Sequence, residues 1–383
     1  MARARNDFGF GIESEFLLLD SSTGRPLWWE DLPFAKLNAA LEEVPVDPNL
    51  DLSALELEAP HRKVMPFVVE GYGVPDEEFR VIDVKAKGVE IRTPVATSLD
   101  SCLNQHQELY QSLDNVMLAK GWRLASLSHH PVAEKFTGPQ NKRRHDFWQW
   151  AMQAMTTYGP DINVSLPLDF AKHFDLKEFE SKVYAYSAAM AAFSLSSPFL
   201  GGKPWQINGR TGKSVRTWRR SIVAPPIEFH PDEDGRLEFK VFEMSPLQSD
   251  YRNYFLLFLT LALDEELRDR AERAEWVYTS GEIARDGLAS ESIQRRAHQL
   301  LDRAQIVLPR WGFNPQALQS FEKRLERKRT PADDLLDQWA AGQTLNEILK
   351  TRTGLRDDLH EMHASCRTSR TQPSLHSSVH SLP

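Results

Sequence analysis

The sequence has few cysteines, no long apolar run and no excess of positive charge, and each absence excludes a class of protein. Only Cys102 and Cys366 occur among 383 residues, too few for the disulfide framework of a small secreted domain. The longest apolar stretch, residues 254–263, is roughly half as long as a bilayer-spanning helix. The net charge of −8 disfavours binding to nucleic acid or to anionic membranes. With no apolar segment of the signal-peptide kind near the start, these features predict a cytoplasmic protein.

The chain does contain strand-like and helix-like segments, but they do not alternate regularly. Apolar patterning predicts strands at 8–20, 55–59, 66–71, 88–94, 122–128, 161–168 and 238–244. Helical periodicity predicts helices at 99–120, 176–195 and 248–274, followed by a helical region to about residue 364. This order favours an α+β fold over a parallel α/β sheet. We predict an α+β domain at 1–275, a helical region packed on it at 276–365, and a disordered tail at 366–383.

The most informative motif is Gly11-Ile12-Glu13-Ser14-Glu15 within the first predicted strand. Residues two apart in a strand project from the same face, so Glu13 and Glu15 point together. The apolar residues on either side indicate that this face lies inside the fold. Neighbouring buried carboxylates require a neutralising cation, and Mg²⁺ prefers oxygen ligands that it shares with substrate phosphates. The alternative is an exposed strand face with two solvated glutamates.

Two further strands combine an acid with a base at the same spacing. These pairs are Glu90 with Arg92, and Glu238 with Lys240. A site for a metal-bound polyphosphate needs this combination, because acids hold the metal while Arg and Lys neutralise phosphoryl oxygens. Cross-strand ion pairs on a surface sheet would give the same pattern and remain the alternative.

A basic segment lies between the strand that contains Glu90 and the strand that contains Glu238. Five cations fall within eleven residues of a glycine-containing stretch: Arg210, Lys213, Arg216, Arg219 and Arg220. We expect a mobile loop that closes over ATP and excludes water. A solvated basic loop is the alternative.

Several of these motifs resemble, in order, those of the glutamate–cysteine ligase and carboxylate–amine ligase family. The opening Gly-x-Glu-x-Glu strand is matched at Glu13 and Glu15, and the Glu-x-Arg/x-Thr-Pro strand at Glu90. His129-His130-Pro131 is similar to the family's Thr/Ser-His-Pro turn. The segment from Ser197 to Arg216 is similar to its Ser-Pro-Phe…Thr-Gly-x-Ser-x-Arg region, and Glu238-Phe239-Lys240 is similar to its Glu-x-Arg strand. The matches extend over about residues 10–250.

The resemblance implies the glutamine-synthetase-like fold, in which a curved antiparallel sheet forms a funnel surrounded by helices. It implies that ATP and Mg²⁺ are required. The residues that it assigns to the metal are Glu13, Glu15, Glu90 and Glu238. The residues that it assigns to catalysis are Arg92, Arg216 and Lys240, and those that it assigns to the nucleotide are Asn163, Thr211, Lys213, Ser214 and Arg216.

Two positions depart from the family pattern. Asp161 stands where many members have the first histidine of a His-x-His or His-x-Asn strand, although Asn163 matches the second form. Lys240 replaces an arginine, which keeps the charge but loses the bidentate geometry. Both departures bear on the metal count and on the substrates.

The sequence therefore predicts a ligase that joins a carboxylate to an amine through an acyl phosphate, with glutamate and cysteine as default substrates by resemblance. One alternative is a phosphotransferase of the guanidino-kinase type, which would stop at a phosphorylated nitrogen. Another is a scaffold without catalysis on the same fold. The expected partners are small molecules rather than nucleic acid or membrane, and homo-oligomerisation is left open.

Overall fold

The computed structural model describes residues 7–78, 80–136 and 151–356. The predicted tail at 366–383 and the end of the predicted helical region lie outside the described residues. The domain boundaries therefore stay predictions. None of the helices in the described part of the chain has the length and apolar character needed to cross a bilayer.

A curved antiparallel sheet of seven strands is the centre of the fold, so the predicted α+β class is confirmed. Its spatial order is β10-β11-β5-β1-β3-β2, with β4 pairing to the far end of β1. Two short hairpins, β6–β7 and β8–β9, lie outside it. The strands are β1 (Gly9–Asp20), β2 (Phe67–Pro75), β3 (Val81–Arg92), β4 (Trp122–Ala125), β5 (Pro160–Ser165), β6 (Phe199–Leu200), β7 (Lys203–Pro204), β8 (Gln206–Ile207), β9 (Arg210–Thr211), β10 (Ile227–His230) and β11 (Arg236–Phe239).

Helices surround the sheet, and several begin at the residues that cap them. Ser98, Asp175 and Ser290 each accept a hydrogen bond from the third residue that follows, which satisfies one of the free N–H groups of the first turn. The helices are α1 (Phe34–Glu42), α2 (Leu99–Ala119), α3 (Leu168–Ala171), α4 (Leu176–Ala192), α5 (Val215–Val223), α6 (Gln248–Leu263), α7 (Arg273–Asp286), α8 (Glu291–Val307), α9 (Gln319–Arg327), α10 (Pro331–Ala340) and α11 (Leu345–Lys350). Short 3₁₀ turns occur at Gly287–Ala289, Leu308–Trp311 and Pro315–Leu318.

The two faces of the sheet differ in chemistry because strand residues alternate in direction. One face carries buried apolar side chains such as Ile12, Phe16 and Ile91. Helix α2 packs on this face, with the rings of Phe16 and Tyr110 centred 5.3 Å apart. Helix α6 also packs there through Phe255 and Phe258, whose rings contact those of Phe10 and Phe239. The apolar face is thus covered, and the opposite face is left open for polar residues.

Three sequence predictions are corrected by the structure. The predicted helix 248–274 ends at Leu263, because the buried carboxylate of Asp264 accepts hydrogen bonds from the backbone N–H groups of Glu266 and Leu267, each at 2.7 Å. Segment 55–59 is not a strand, since the Glu56 carbonyl accepts a bond from a side chain instead of a neighbouring strand. The basic segment is not a mobile loop, because its second half forms helix α5.

Candidate active site

The open face of the sheet collects most of the acidic and basic side chains that the sequence analysis singled out. Glu13 lies opposite Arg92 on one neighbouring strand and opposite Asp161 on the other, while Glu15 lies opposite Glu90. Directly opposed residues of antiparallel strands share a face, so these side chains project from one side of the sheet. The structure thus places the predicted magnesium ligands on one face but divides them into two groups.

The first group, the acid triad, consists of Glu13 on β1, Asp161 on β5 and Glu238 on β11. One carboxylate oxygen of each residue lies within 4.8 Å of those of the other two. Burial raises the pKa of Glu13 to about 8, and the charges of Asp161 and Glu238 contribute to the rise. Carboxylates this close are stabilised by a cation, and hard divalent cations prefer oxygen ligands. The triad therefore fits Mg²⁺ in both spacing and donor type.

Cations line the outer side of the acid triad. The Nζ atom of Lys240 lies 3.4 Å from Asp161 and also contacts Glu238. Although burial opposes it, these two carboxylates raise the pKa of Lys240 above its ordinary value. Arg236 donates to the Oδ1 atom of Asn163 at 2.7 Å and to Glu238 at 3.1 Å. A negative centre with a positive rim is suited to a metal-bound phosphate.

The second group, the lysine clasp, consists of Glu15, Glu70, Glu90 and Lys87. The Nζ atom of Lys87 lies 3.0 Å from Glu15 and 3.2 Å from Glu70. Burial raises the pKa of Glu70 to about 7. Burial also raises the pKa of Glu90 well above its ordinary value, and the charges of Glu70, Glu13 and Glu15 add to the effect. This group joins β1, β2 and β3 beside the acid triad.

Helix α5 directs two arginines towards the site from consecutive turns. Arg216 is buried and donates to the carbonyls of Val241 and Lys240 at 3.3 and 3.0 Å. Burial and the charge of Arg220 lower the pKa of Arg216 to about 10. A side chain at Gly159 would place its Cβ 2.1 Å from Nη2 of Arg216, so only glycine leaves room for this guanidinium.

Arg220 differs from Arg216 in its hydrogen bonding. Its Nε atom is buried and has no hydrogen-bond partner within 7–78, 80–136 and 151–356. Its charge nevertheless acts on both groups of the open face, because it helps to lower the pKa of Asp161 and opposes the charged form of Lys87. Together with Arg216, Lys240 and Trp276 it lines a small cavity. Arg220 therefore adds positive charge near the acid triad.

Ser214 serves as the N-cap of α5, where its Oγ accepts a bond from the Thr217 N–H at 2.8 Å. The same hydroxyl donates to Glu243, a fully buried carboxylate. Glu243 also accepts bonds from Ser197 Oγ and from the Ser196 N–H, both at 2.6 Å. Glu243 thereby ties the Ser-Pro-Phe region to the start of α5 and holds the two arginines in place.

Three other predicted site residues are engaged with protein groups away from the acid triad. Lys213 pairs with Asp333 at 2.6 Å, and Thr211 accepts a bond from Gln206 within the β8–β9 hairpin. Arg92 donates to the carbonyls of Glu56 and Met65 and pairs with Glu58, so it anchors the 56–65 segment. The predicted roles of Lys213, Thr211 and Arg92 in substrate or nucleotide binding stay predictions.

Sequence reasoning did not assign four residues of this face to the site: Asp161, Arg236, Glu70 and Lys87. It expected Arg220 near ATP, but in a loop rather than on helix α5. Arg236 could have been found, since it precedes Glu238 by two and must share its face. Lys87 could not, because an alternating pattern places it on the apolar side. A register shift between β2 and β3 near Glu70 turns the Lys87 side chain towards the acids.

The curved antiparallel sheet surrounded by helices is the glutamine-synthetase-like fold that the resemblance implies. The model of glutamate–cysteine ligase family 2 matches residues 9–212, more than half of the chain. The chain therefore belongs to glutamate–cysteine ligase family 2, and by class it is a carboxylate–amine ligase. The family resemblance predicted from the motifs is confirmed.

Solved structures agree with this fold. Glutamate–cysteine ligase from Francisella tularensis, in complex with AMP, superimposes with a TM-score of 0.60 at 10% identity, covering 92% of this chain and 89% of that chain. A bifunctional glutathione synthetase from Pasteurella multocida gives a TM-score of 0.55 at 11% identity. That alignment covers 94% of this chain and 52% of the other, so this chain spans about half of that protein. Likeness at such identities shows the fold alone. No curated protein sequence matches the chain.

Proposed function

We propose that this protein uses ATP and Mg²⁺ to form an amide bond between a carboxylate substrate and an amine through an acyl phosphate. The observation that carries the proposal is the acid triad, in which three strands bring carboxylate oxygens within 4.8 Å of one another beside cationic side chains. Family membership supports a carboxylate–amine ligase reaction. The AMP in the similar Francisella tularensis enzyme supports an adenine nucleotide as the phosphoryl donor.

Glu13, Asp161 and Glu238 would hold Mg²⁺, which when bound supplies charge neutralisation at the phosphoryl oxygens. Lys240, which contacts two of these carboxylates, and Arg220, whose charge acts on Asp161, would neutralise the remaining phosphate charge. Arg216 holds the backbone at Lys240 and adds positive charge to this end of the site. Such preorganised charges stabilise a phosphoryl-transfer transition state more than they stabilise the ground state.

The chemistry has two steps. A carboxylate oxygen of the first substrate attacks the γ-phosphorus, and the bond from that phosphorus to the oxygen of ADP breaks. The amine nitrogen of the second substrate then attacks the acyl carbon, and the bond from that carbon to the phosphate oxygen breaks. A carboxylate of the open face accepts the proton that the amine loses. Phosphate and the amide are the products.

The test is an ATP-consumption screen of paired amino acids and amines with Mg²⁺, with mass spectrometry of the products. We expect ADP release to require both a carboxylate and an amine and to be accompanied by an amide. Glu13→Gln and Glu238→Gln should each lower kcat/KM by about 100-fold or more, because each removes a charged ligand from the triad. Glu265→Gln, an exposed position outside the site, is the matched control and should leave activity unchanged.

Other outcomes would overturn the proposal in distinguishable ways. ADP release with a single nitrogen substrate and a phosphorylated nitrogen as product would show a guanidino-kinase type of reaction. No ATP consumption with any pair would favour a scaffold. Full activity in Glu13→Gln and Glu238→Gln would show that the acid triad is not the metal site.

A further inference from the structure

Lys87 occupies an unusual position in the sheet. In the pairing of β2 with β3, Glu70 lies opposite Gly88 and Gly71 lies opposite Ala86, so Lys87 has no partner residue across the strand pair. An extra residue of this kind is a β-bulge, which re-aims a side chain that regular alternation would place on the other face. The bulge turns the Lys87 side chain away from the apolar core and towards the carboxylates of the open face.

The ammonium group of Lys87 is fully engaged there. Its Nζ donates to Glu15 at 3.0 Å and to the Thr157 carbonyl at 2.7 Å, and it lies 3.2 Å from Glu70. An ammonium has three N–H donors, so these three acceptors account for all of them. Only 3% of the residue is exposed. The second oxygen of Glu15 accepts the Gly159 N–H at 2.8 Å, which leaves neither Glu15 oxygen without a protein donor.

In the acid triad, Lys240 contacts Asp161 and Glu238, but Glu13 is engaged less. Among the described residues, Glu13 receives only the Asn163 amide at 3.3 Å and a more distant Arg236 at 3.9 Å, so its carboxylate retains acceptor capacity. Within the described ranges, three potential ligand atoms lie within 4.8 Å of one another at the triad and at a neighbouring group of Glu228, His230 and Glu238. Neither of these groups in the described part of the chain includes Glu15, Glu70 or Glu90.

We propose that Lys87 is a built-in cation that takes the place of a second divalent metal ion, so that Glu15, Glu70 and Glu90 form a metal-free clasp and the ion binds only at the acid triad. This inference rests on the proposed function, since it assumes that the triad binds the catalytic ion. It assigns to Glu15 and Glu90 a different role from the one that the family resemblance implies. Glu15 becomes a positioning residue that fixes Lys87 and the Gly159 backbone beside Arg216.

The repulsion among the three carboxylates favours a lysine at this position. Three carboxylates without a cation would repel one another strongly in a partly buried site, and Lys87 offsets one charge at hydrogen-bond distance. Arg92 adds a favourable interaction with Glu90. Removing the ammonium would leave three acids facing a space vacated by a cation, which is the condition under which a divalent ion binds.

The experiment measures Mn²⁺ bound per chain, by equilibrium dialysis and by the electron paramagnetic resonance signal of free Mn²⁺, without nucleotide. We expect one ion in the wild-type protein and in Lys87→Arg, which keeps the charge. We expect two ions in Lys87→Met, and one ion in the double variant Lys87→Met/Glu13→Gln. Two ions in the wild type, or one in a folded Lys87→Met protein, would overturn the inference.

Glu15→Gln provides a second test in case Lys87→Met does not fold. We expect Glu15→Gln to change Mn²⁺ affinity by less than about 3-fold, whereas Glu13→Gln should weaken it by about 100-fold or more, beyond the range of indirect ligand effects. Equal losses in the two variants would show that Glu15 is a ligand and contradict the inference. Retention of the wild-type ion in Glu13→Gln would instead refute the triad as the metal site, so the two proposals fail separately.

Discussion

Glu243 provides the most specific prediction about stability. It is fully buried, and its carboxylate accepts hydrogen bonds from four neighbouring residues that belong to two different segments of the chain. One oxygen receives the Ser196 N–H at 2.6 Å and the Ser197 hydroxyl at 2.6 Å. The other receives the hydroxyls of Ser214 and Thr217, the latter at 3.1 Å.

Glu243→Gln keeps the shape of the side chain but replaces one acceptor oxygen with an NH₂ donor. Hydroxyls can rotate to accept from that group, but the Ser196 N–H cannot, so the amide oxygen must stay on its side. Bonds to a charged acceptor contribute about 1.5–3 kcal/mol each and neutral ones about 0.5–1.5 kcal/mol. Losing roughly 1 kcal/mol at several bonds, offset by easier burial of a neutral group, gives an expected destabilisation of about 2–4 kcal/mol.

Urea unfolding followed by tryptophan fluorescence and circular dichroism measures this effect. We expect a lower unfolding midpoint in Glu243→Gln with an unchanged dependence on urea concentration. The exposed Glu265→Gln variant should unfold as the wild type does. A loss of less than about 1 kcal/mol in Glu243→Gln would refute the view that this carboxylate holds the start of α5.

Three further predictions test other parts of the structure. Burial lowers the pKa of His106 from 6.5 to about 4, so between these pH values the unfolded chain binds a proton that the folded protein does not. The free energy of unfolding should therefore fall by up to ~3 kcal/mol as the pH drops from 6.5 to 4. His106→Gln should weaken that decline in urea titrations, and an equal decline would contradict the assignment. Gly88→Ala would place a Cβ 2.1 Å from the Phe16 carbonyl oxygen and should lower the thermal midpoint sharply; a midpoint near that of the wild type would be inconsistent with the strand register. Arg220→Met should raise the KM for ATP by about 10-fold or more. The control Arg210→Met, in an exposed hairpin, should leave that KM unchanged. Equal effects of the two substitutions would exclude a phosphate-binding role for Arg220.

The strand patterns carried most of what could be predicted about the site. The two-residue spacing of Glu13 and Glu15 is enough to place them on one face, because side-chain direction in a strand depends only on the backbone. The same spacing places Glu90 on one face with the base two residues after it, and likewise Glu238. Which acids meet across strands depends on register, and register is set by long-range pairing that spacing does not encode. For that reason the sequence predicts the strand that contains Asp161 but not the position of Asp161 in the acid triad.

The remaining differences have local physical causes. Lys87 reaches the open face only through a bulge, which carries no clear signal in the sequence around Ala86 and Gly88. The helix that begins at Gln248 ends at Leu263 because a buried aspartate caps the following turn, and propensity alone does not predict that choice. The arginines of α5 were expected in a loop because Gly209 and Gly212 precede them, whereas the Ser214 cap starts a helix directly afterwards.

The most direct test of the proposed chemistry follows one oxygen atom. The carboxylate substrate identified by the screen would be labelled with ¹⁸O and incubated with ATP, Mg²⁺ and the amine, and the released phosphate analysed by mass spectrometry. If an acyl phosphate forms, one labelled oxygen leaves the carboxylate with the phosphate at each turnover. We predict phosphate carrying one ¹⁸O atom. Unlabelled phosphate released while the amide accumulates would contradict the mechanism.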